Sequence, residues 1–149
     1  MNLSVLRLPH AKDLPLPSYA TDGSAGIDLL AAIEGDVKIA PGARAAIPCG
    51  IAVAMSDKYE AQVRARSGLA LNHGVTLLNA PGTIDSDYRG EIKAILVNLG
   101  ETVFTVTRGM KIAQLVVARV KRSIIVAVEE LPETKRGEGG FGSTGMGGS

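Results

Sequence analysis

Asp85 and Asp87 stand one residue apart, with Ser86 between them and Tyr88 beside them, in a polar segment at 82–91. Two runs rich in β-branched and aliphatic residues flank that segment, at 75–79 and 92–98. Both runs read as strands, so the polar segment reads as the tip of a β-hairpin. A carboxylate held at such a tip can take a proton from water and aim the hydroxide at a bound substrate, provided its geometry is fixed. The alternative is that Asp85, Ser86 and Asp87 are ordinary turn formers that bond their own backbone. The chain has three tyrosines, two phenylalanines and no tryptophan, so where the rings fall carries information. Tyr88 lies in the polar tip and Phe141 lies among glycines, where no local apolar run receives them; rings so placed stack on ligands or pack on another subunit.

Other chemistries find little support. His10 and His73 have no cysteine or carboxylate at ligand spacing, which argues against a protein-bound zinc site and leaves both as surface or turn residues. No G-x-S-x-G elbow surrounds Ser67 and no G-x-x-x-x-G-K-[ST] loop is present, so acyl transfer and P-loop chemistry are set aside. Gly137, Gly139 and Gly142 satisfy G-x-G-x-x-G, but no strand precedes them in a βαβ unit, no helix follows and no room is left for a downstream acidic residue, so the dinucleotide reading fails.

The elements that must position these residues are many and short. Candidate strands fall at 5–8, 27–30, 37–39, 43–48, 51–55, 60–64, 75–79, 92–98, 103–106, 111–117 and 123–128, punctuated by turn signals such as Pro41-Gly42, Pro81-Gly82 and Arg108-Gly109. That spacing predicts an all-β sandwich or jelly roll with one short helix over 67–72, Ser67 as its N-cap and Gly74 as its stop. From Pro132 the composition turns to Glu, Thr, Lys, Arg and then glycine, with seven glycines among the last thirteen residues. The chain therefore divides into a β domain at 1–131 and a flexible tail at 132–149, whose Arg136 and Phe141 suit a lid.

A chain of 149 residues makes one domain and buries roughly two thirds of its unfolded surface without metals or disulfides. One cysteine, Cys49, excludes an internal disulfide and fits a reducing compartment. No apolar run reaches the ~20 residues that span a bilayer and no leader pattern opens the chain, so cytoplasm is the expected location. A net charge of +1 argues against a nucleic-acid polymer as partner but leaves room for a small anionic ligand.

Five segments, taken in order, carry a resemblance: Ala25-Gly26-Ile27-Asp28-Leu29; Arg64-Ala65-Arg66-Ser67-Gly68-Leu69-Ala70; residues 82–91; Arg108-Gly109-Met110-Lys111-Ile112-Ala113-Gln114-Leu115; and residues 136–145. In order and spacing they resemble the five motifs of trimeric deoxyuridine triphosphatases (dUTPases). Met110 departs from the pattern, since many relatives carry an acidic residue there. The resemblance implies a jelly-roll homotrimer with active sites between subunits. These sites convert dUTP and water to dUMP and pyrophosphate with Mg²⁺, which limits uracil incorporation into DNA and supplies dUMP for thymidylate synthesis. By resemblance, Asp85 is the general base and Tyr88 lies beneath the deoxyribose. Asn79 reads uracil with the backbone of Gly82, Thr83 and Ile84. Arg66, Ser67, Gly68 and Gln114 look like phosphate contacts, and Lys93 like a further substrate contact. In the tail, Phe141 would stack on uracil while Arg136, Gly142 and Ser143 hold the distal phosphates. Asp28 is similar to an aspartate with an outer-shell metal role at most, the Mg²⁺ being held mainly by triphosphate and water. Two alternatives stay open: deamination of dCTP on the same scaffold, and a catalytically silent nucleotide-binding protein.

Overall fold

The structure, a computed structural model, describes residues 1–148; of the expected tail, Ser149 lies outside the described residues. The strands are β1 (Ser4–Arg7), β2 (Ile27–Leu30), β3 (Val37–Ile39), β4 (Arg44–Pro48), β5 (Ile51–Ala54), β6 (Tyr59–Arg64), β7 (Val75–Leu77), β8 (Gly82–Ile84), β9 (Lys93–Asn98), β10 (Phe104–Val106) and β11 (Lys111–Arg119). A 3-10 turn, Pro9–Ala11, follows β1, and one helix, α1 (Ser67–His73), follows β6. All strand pairs are antiparallel. They form a four-stranded sheet in the order β2-β11-β6-β8, a three-stranded sheet β4-β9-β7, and the pairs β1-β5 and β10-β3. This is the jelly-roll-like β fold that the strand spacing predicts.

Period-two burial builds the core. Ile27 and Leu29 of β2 and Val75 and Leu77 of β7 point inward while their neighbours are half exposed. With few rings available, the interior is filled by branched aliphatics and by alanines that let sheets approach; Ala31, Ala61, Ala94 and Ala113 are fully buried. Phe104 is the one buried aromatic among the described residues. Cys49 lies in the same core, where burial pushes its thiol up to about 12 and leaves it unreactive at neutral pH.

Three local expectations need correction. The segment between β7 and β9 is more than a hairpin tip. β7 does pair with β9, Val75 opposite Asn98, but the connection passes through a cis Ala80–Pro81 peptide into β8, which joins the other sheet beside β6. Ser67 is the first residue of α1 and not its N-cap, a position held by extended Arg66 with no side-chain capping bond. Gly74 does end the helix, in the left-handed conformation that glycine adopts without steric cost, its amide bonded to Ala70 O at 3.0 Å. Finally, 123–128 is not a strand within its own chain: the run has no regular secondary structure and is exposed, Ile124 by 92% and Ile125 by 96%. A strand needs a partner, and among the described residues no segment of this chain pairs with it.

Candidate active site

Asp85 follows β8 directly, so the pairing of Thr83 with Gln62 and of Ile84 with Ala61 fixes where it leaves the sheet. The turn that follows is tied by main-chain bonds: the Tyr88 amide donates to Asp85 O at 3.1 Å. Arg89 Nη1 reaches back to Ser86 O at 2.7 Å and Tyr88 O at 3.0 Å, stapling the turn without using either aspartate. The Tyr88 hydroxyl donates to Glu91 O at 3.1 Å. Its ring folds over Gly90, where a Cβ would lie 2.3 Å from the hydroxyl oxygen, so only glycine leaves room for it. Thr83, Ile84, Asp85, Tyr88 and Lys93 together line a hollow of about 280 Å³, along with Glu91. Asn79 is exposed just outside, its amide against the face of buried Gly82.

A second hollow, of about 330 Å³, gathers Asp28, Arg66, Ser67, Gly68 and Gln114. β11 carries Gln114 opposite Asp28 of β2 on one side and opposite Arg64 of β6 on the other. The Gln114 amide donates to Ala65 O at 3.0 Å and crosses Gly26, whose missing side chain makes the space: a Cβ there would lie 2.3 Å from Gln114 Oε1. Asp28 lies between two cations, Arg66 Nε at 3.4 Å and Lys111 Nζ at 3.0 Å. Arg66 also donates to Lys111 O at 3.2 Å. Within the lining Arg66 balances Asp28, the Lys111 ammonium beside them adds a second cation from outside the hollow, and the exposed Ser67 and Gly68 at the start of α1 have amides free of intrahelical partners. The arrangement suits an anion. It gives a metal little direct purchase, since among the described residues no three of His, Cys, Asp and Glu converge. A cation that keeps most of its water and takes phosphate oxygens needs no such cage, so these residues are compatible with Mg²⁺ brought by a polyphosphate.

The two hollows share no lining residue, and the tail contributes to neither. The last hydrogen bond from its stem to the body is Val120 N to Lys58 O at 3.0 Å; those made by 121–148 stay within that segment. Arg136 Nε bonds Gly139 O at 2.7 Å, and Phe141 is fully exposed at φ +48°. Gly142 and Ser143 belong to the same succession of turns. The residues expected to act together thus fall into three separate groups within one chain.

Two residues near the first hollow escaped the sequence reading. Glu91 belongs to the polar segment but was given no part there, and His10 was set aside as a surface residue. The structure brings His10 Nε2 to 2.6 Å from Glu91 Oε1. Eighty-one positions separate them, and no local pattern announces such a pair.

A family model described as dUTPase matches residues 12–145. The deoxyuridine 5'-triphosphate nucleotidohydrolase of Caldanaerobacter subterraneus subsp. tengcongensis is 56% identical over 144 residues, covering 97% of each chain. Among solved structures, a Staphylococcus bacteriophage 80alpha dUTPase with dUPNHPP matches with a TM-score of 0.88 and 25% identity, over 97% of this chain and 99% of that one. A mutant dUTPase from phage phi11 of S. aureus, solved to show the coordination of a structural Mg(II) ion, matches with a TM-score of 0.78 and 21% identity, over 87% of this chain and 98% of that one. At that identity the second likeness speaks for the fold alone.

Proposed function

The chain belongs to the dUTPase family, and from that premise we propose how its residues divide the work. It is a dUTP diphosphatase, hydrolysing dUTP to dUMP and pyrophosphate. Asp85 accepts a proton from water as the water oxygen bonds to the α-phosphorus; the bond from that phosphorus to the bridging oxygen breaks, and pyrophosphate leaves. The observation that carries this assignment is the stapled turn: Asp85 is exposed at the rim of a hollow, beside Tyr88, on a loop whose shape is set by main-chain and Arg89 contacts and leaves the carboxylate free to work.

Asn79 and the backbone of Gly82, Thr83 and Ile84 read uracil, Tyr88 lies under the deoxyribose, and Lys93 touches substrate from the strand leaving the loop. Arg66, Ser67, Gly68 and Gln114 take the phosphates. Asp28 holds Arg66 and Lys111 in place and reaches a metal through water at most. Mg²⁺ carried by the triphosphate neutralises phosphate charge when bound. Arg136, Phe141, Gly142 and Ser143 close from the 132–149 tail over the β domain at 1–131.

A single chain does not assemble these groups. The two hollows with no common residue and the apolar run at 123–128, exposed and unpaired, support a homotrimer with active sites shared between subunits. No helix among the described residues is long and apolar enough to cross a membrane. With its one cysteine buried and unbridged, the chain fits cytoplasmic work on free nucleotides.

Pyrophosphate release from dUTP tests the reaction: ammonia release from dCTP in its place would make the chain a deaminase, and no turnover of either nucleotide would make it a silent binder. Replacing Tyr88 with Ala should lower the ratio of kcat/KM for dUTP over UTP by about tenfold or more, because it opens the volume a 2′-hydroxyl would need. An unchanged ratio would place sugar selection elsewhere. Deleting everything after Glu133 should leave the melting temperature and oligomeric state in place, since the described part of the tail buries almost nothing. The same deletion should lower activity by about a hundredfold or more by opening the site to water. Full activity in the truncated protein would end the lid assignment.

A further inference from the structure

We propose that His10, Glu91 and the Gly50 amide form a clasp that sets the Tyr88 ring, making Glu91 and His10 positioning residues for the choice of deoxyribose over ribose; this rests on the reading of Tyr88 as the wall beneath the sugar. One oxygen of Glu91 takes both donors, the Gly50 amide at 3.0 Å and His10 Nε2 at 2.6 Å. The same residue's backbone carbonyl accepts the Tyr88 hydroxyl. Glu91 is therefore held by its side chain and holds the tyrosine by its main chain, with only Arg89 and Gly90 between the two in the chain.

The anchor points cannot drift. Gly50 is buried at φ +69°, and a Cβ there would lie 2.2 Å from the Ala11 Cβ and 2.8 Å from the Ala32 Cβ, so the backbone is wedged where no larger residue fits. Its carbonyl accepts the Leu8 amide at 2.8 Å, which closes a ring of hydrogen bonds from the N-terminal strand through Gly50 and Glu91 back to His10. His10 is fixed from the other side, its carbonyl accepting from Arg108 at 2.7 Å while the same guanidinium binds Asp13 and Ile33 O.

Electrostatics gives the clasp its reason. Glu91 lines the hollow proposed for an anionic nucleotide, and its side chain is only 19% exposed. A carboxylate there opposes an anionic ligand, and its low exposure weakens solvent screening of that repulsion. Two donors on one oxygen draw that charge away from the ligand and use it to fix position; hydrogen bonds to an ionised acceptor are roughly twice as strong as neutral ones.

The test uses the full-length enzyme with Mg²⁺, comparing kcat/KM for dUTP and UTP in wild type, Glu91→Ala, Glu91→Gln, His10→Ala and Tyr88→Ala. In parallel, the ring signals of ¹³C-labelled tyrosine are recorded, that of Tyr88 being identified by its loss in Tyr88→Phe. Glu91→Ala should lower the dUTP/UTP ratio about tenfold and move the Tyr88 signal toward that of a free side chain. Glu91→Gln, whose amide oxygen still accepts from Gly50 and His10, should restore the ratio to within about threefold of wild type. His10→Ala, a change at a surface position that tests the clasp even where Glu91→Ala fails to fold, should move the same signal and lower the ratio by less. An unmoved Tyr88 signal in His10→Ala and in any folded Glu91→Ala overturns the clasp. A moved signal with an unchanged ratio, while Tyr88→Ala does lower it, overturns the link to sugar choice. An unchanged ratio in Tyr88→Ala itself overturns the sugar-wall reading, with the clasp still decided by the ring signal.

Discussion

Asp85→Asn should reduce kcat for dUTP by about 10²–10⁴, the range typical of losing a general base, while dUPNHPP binding stays within about tenfold of wild type. The structure is why rate and affinity should separate. The turn is held by the Tyr88 amide on the Asp85 carbonyl and by Arg89 on two further carbonyls, and among the described residues the Asp85 carboxylate takes no hydrogen bond or ion pair. An amide of the same shape leaves all of those contacts intact and cannot accept the proton. Single-turnover hydrolysis and calorimetric titration of the analogue together decide the matter. Turnover near wild type would remove Asp85 from the chemistry. An equal loss of rate and affinity would make it a substrate-positioning group instead.

The second large effect is a recovery from inactivity. Asp85 lines one hollow and Arg66 the other, so a site shared between neighbouring subunits draws the two from different chains. Asp85→Asn and Arg66→Ala, each inactive alone, should then restore one another when refolded as mixed trimers. For random assembly at equal amounts, a site draws an intact Asp85 with probability ~1/2 and an intact Arg66 from its neighbour with probability ~1/2, so about a quarter of wild-type activity should return under cyclic symmetry. If both groups served a site within one chain, no chain in the mixture would carry both, and activity would stay at the level of the parents. Hydrolysis of dUTP by mixtures whose composition is verified by native mass spectrometry gives the answer.

What was legible in the sequence was local. Asp85, Tyr88 and the glycines around them are informative because their types are at odds with the apolar runs on either side, and strand boundaries such as Ile27–Leu30 and Val37–Ile39 follow from turn residues a few positions away. What was not legible depends on distant partners. Gly82–Ile84 opens on the Pro81-Gly82 turn signal and runs straight into a polar segment, so it reads as part of a turn, and it becomes a strand because β6 accepts it. Residues 123–128 have strong β propensity and yet form no strand, since β propensity measures fit to a neighbouring surface and the chain supplies none here. The His10–Glu91 contact joins an N-terminal turn to the functional loop across eighty-one positions of sequence, and neither residue type predicts it.

The bare run at 123–128 also bears on colloidal behaviour. Ile124, Ile125, Val126 and Val128 are exposed, and this is an uncharged, proline-free stretch whose backbone donors and acceptors find no partner among the described residues. Such a segment is adhesive toward any sheet edge it meets, its own copies included. If the run docks on a neighbour in the proposed trimer, dilution below the assembly concentration would do more than silence shared sites: it would set loose a sticky end open to self-association and proteolytic trimming. The lifetime of the isolated chain, and not only its activity, becomes a function of how quickly it meets others of its kind.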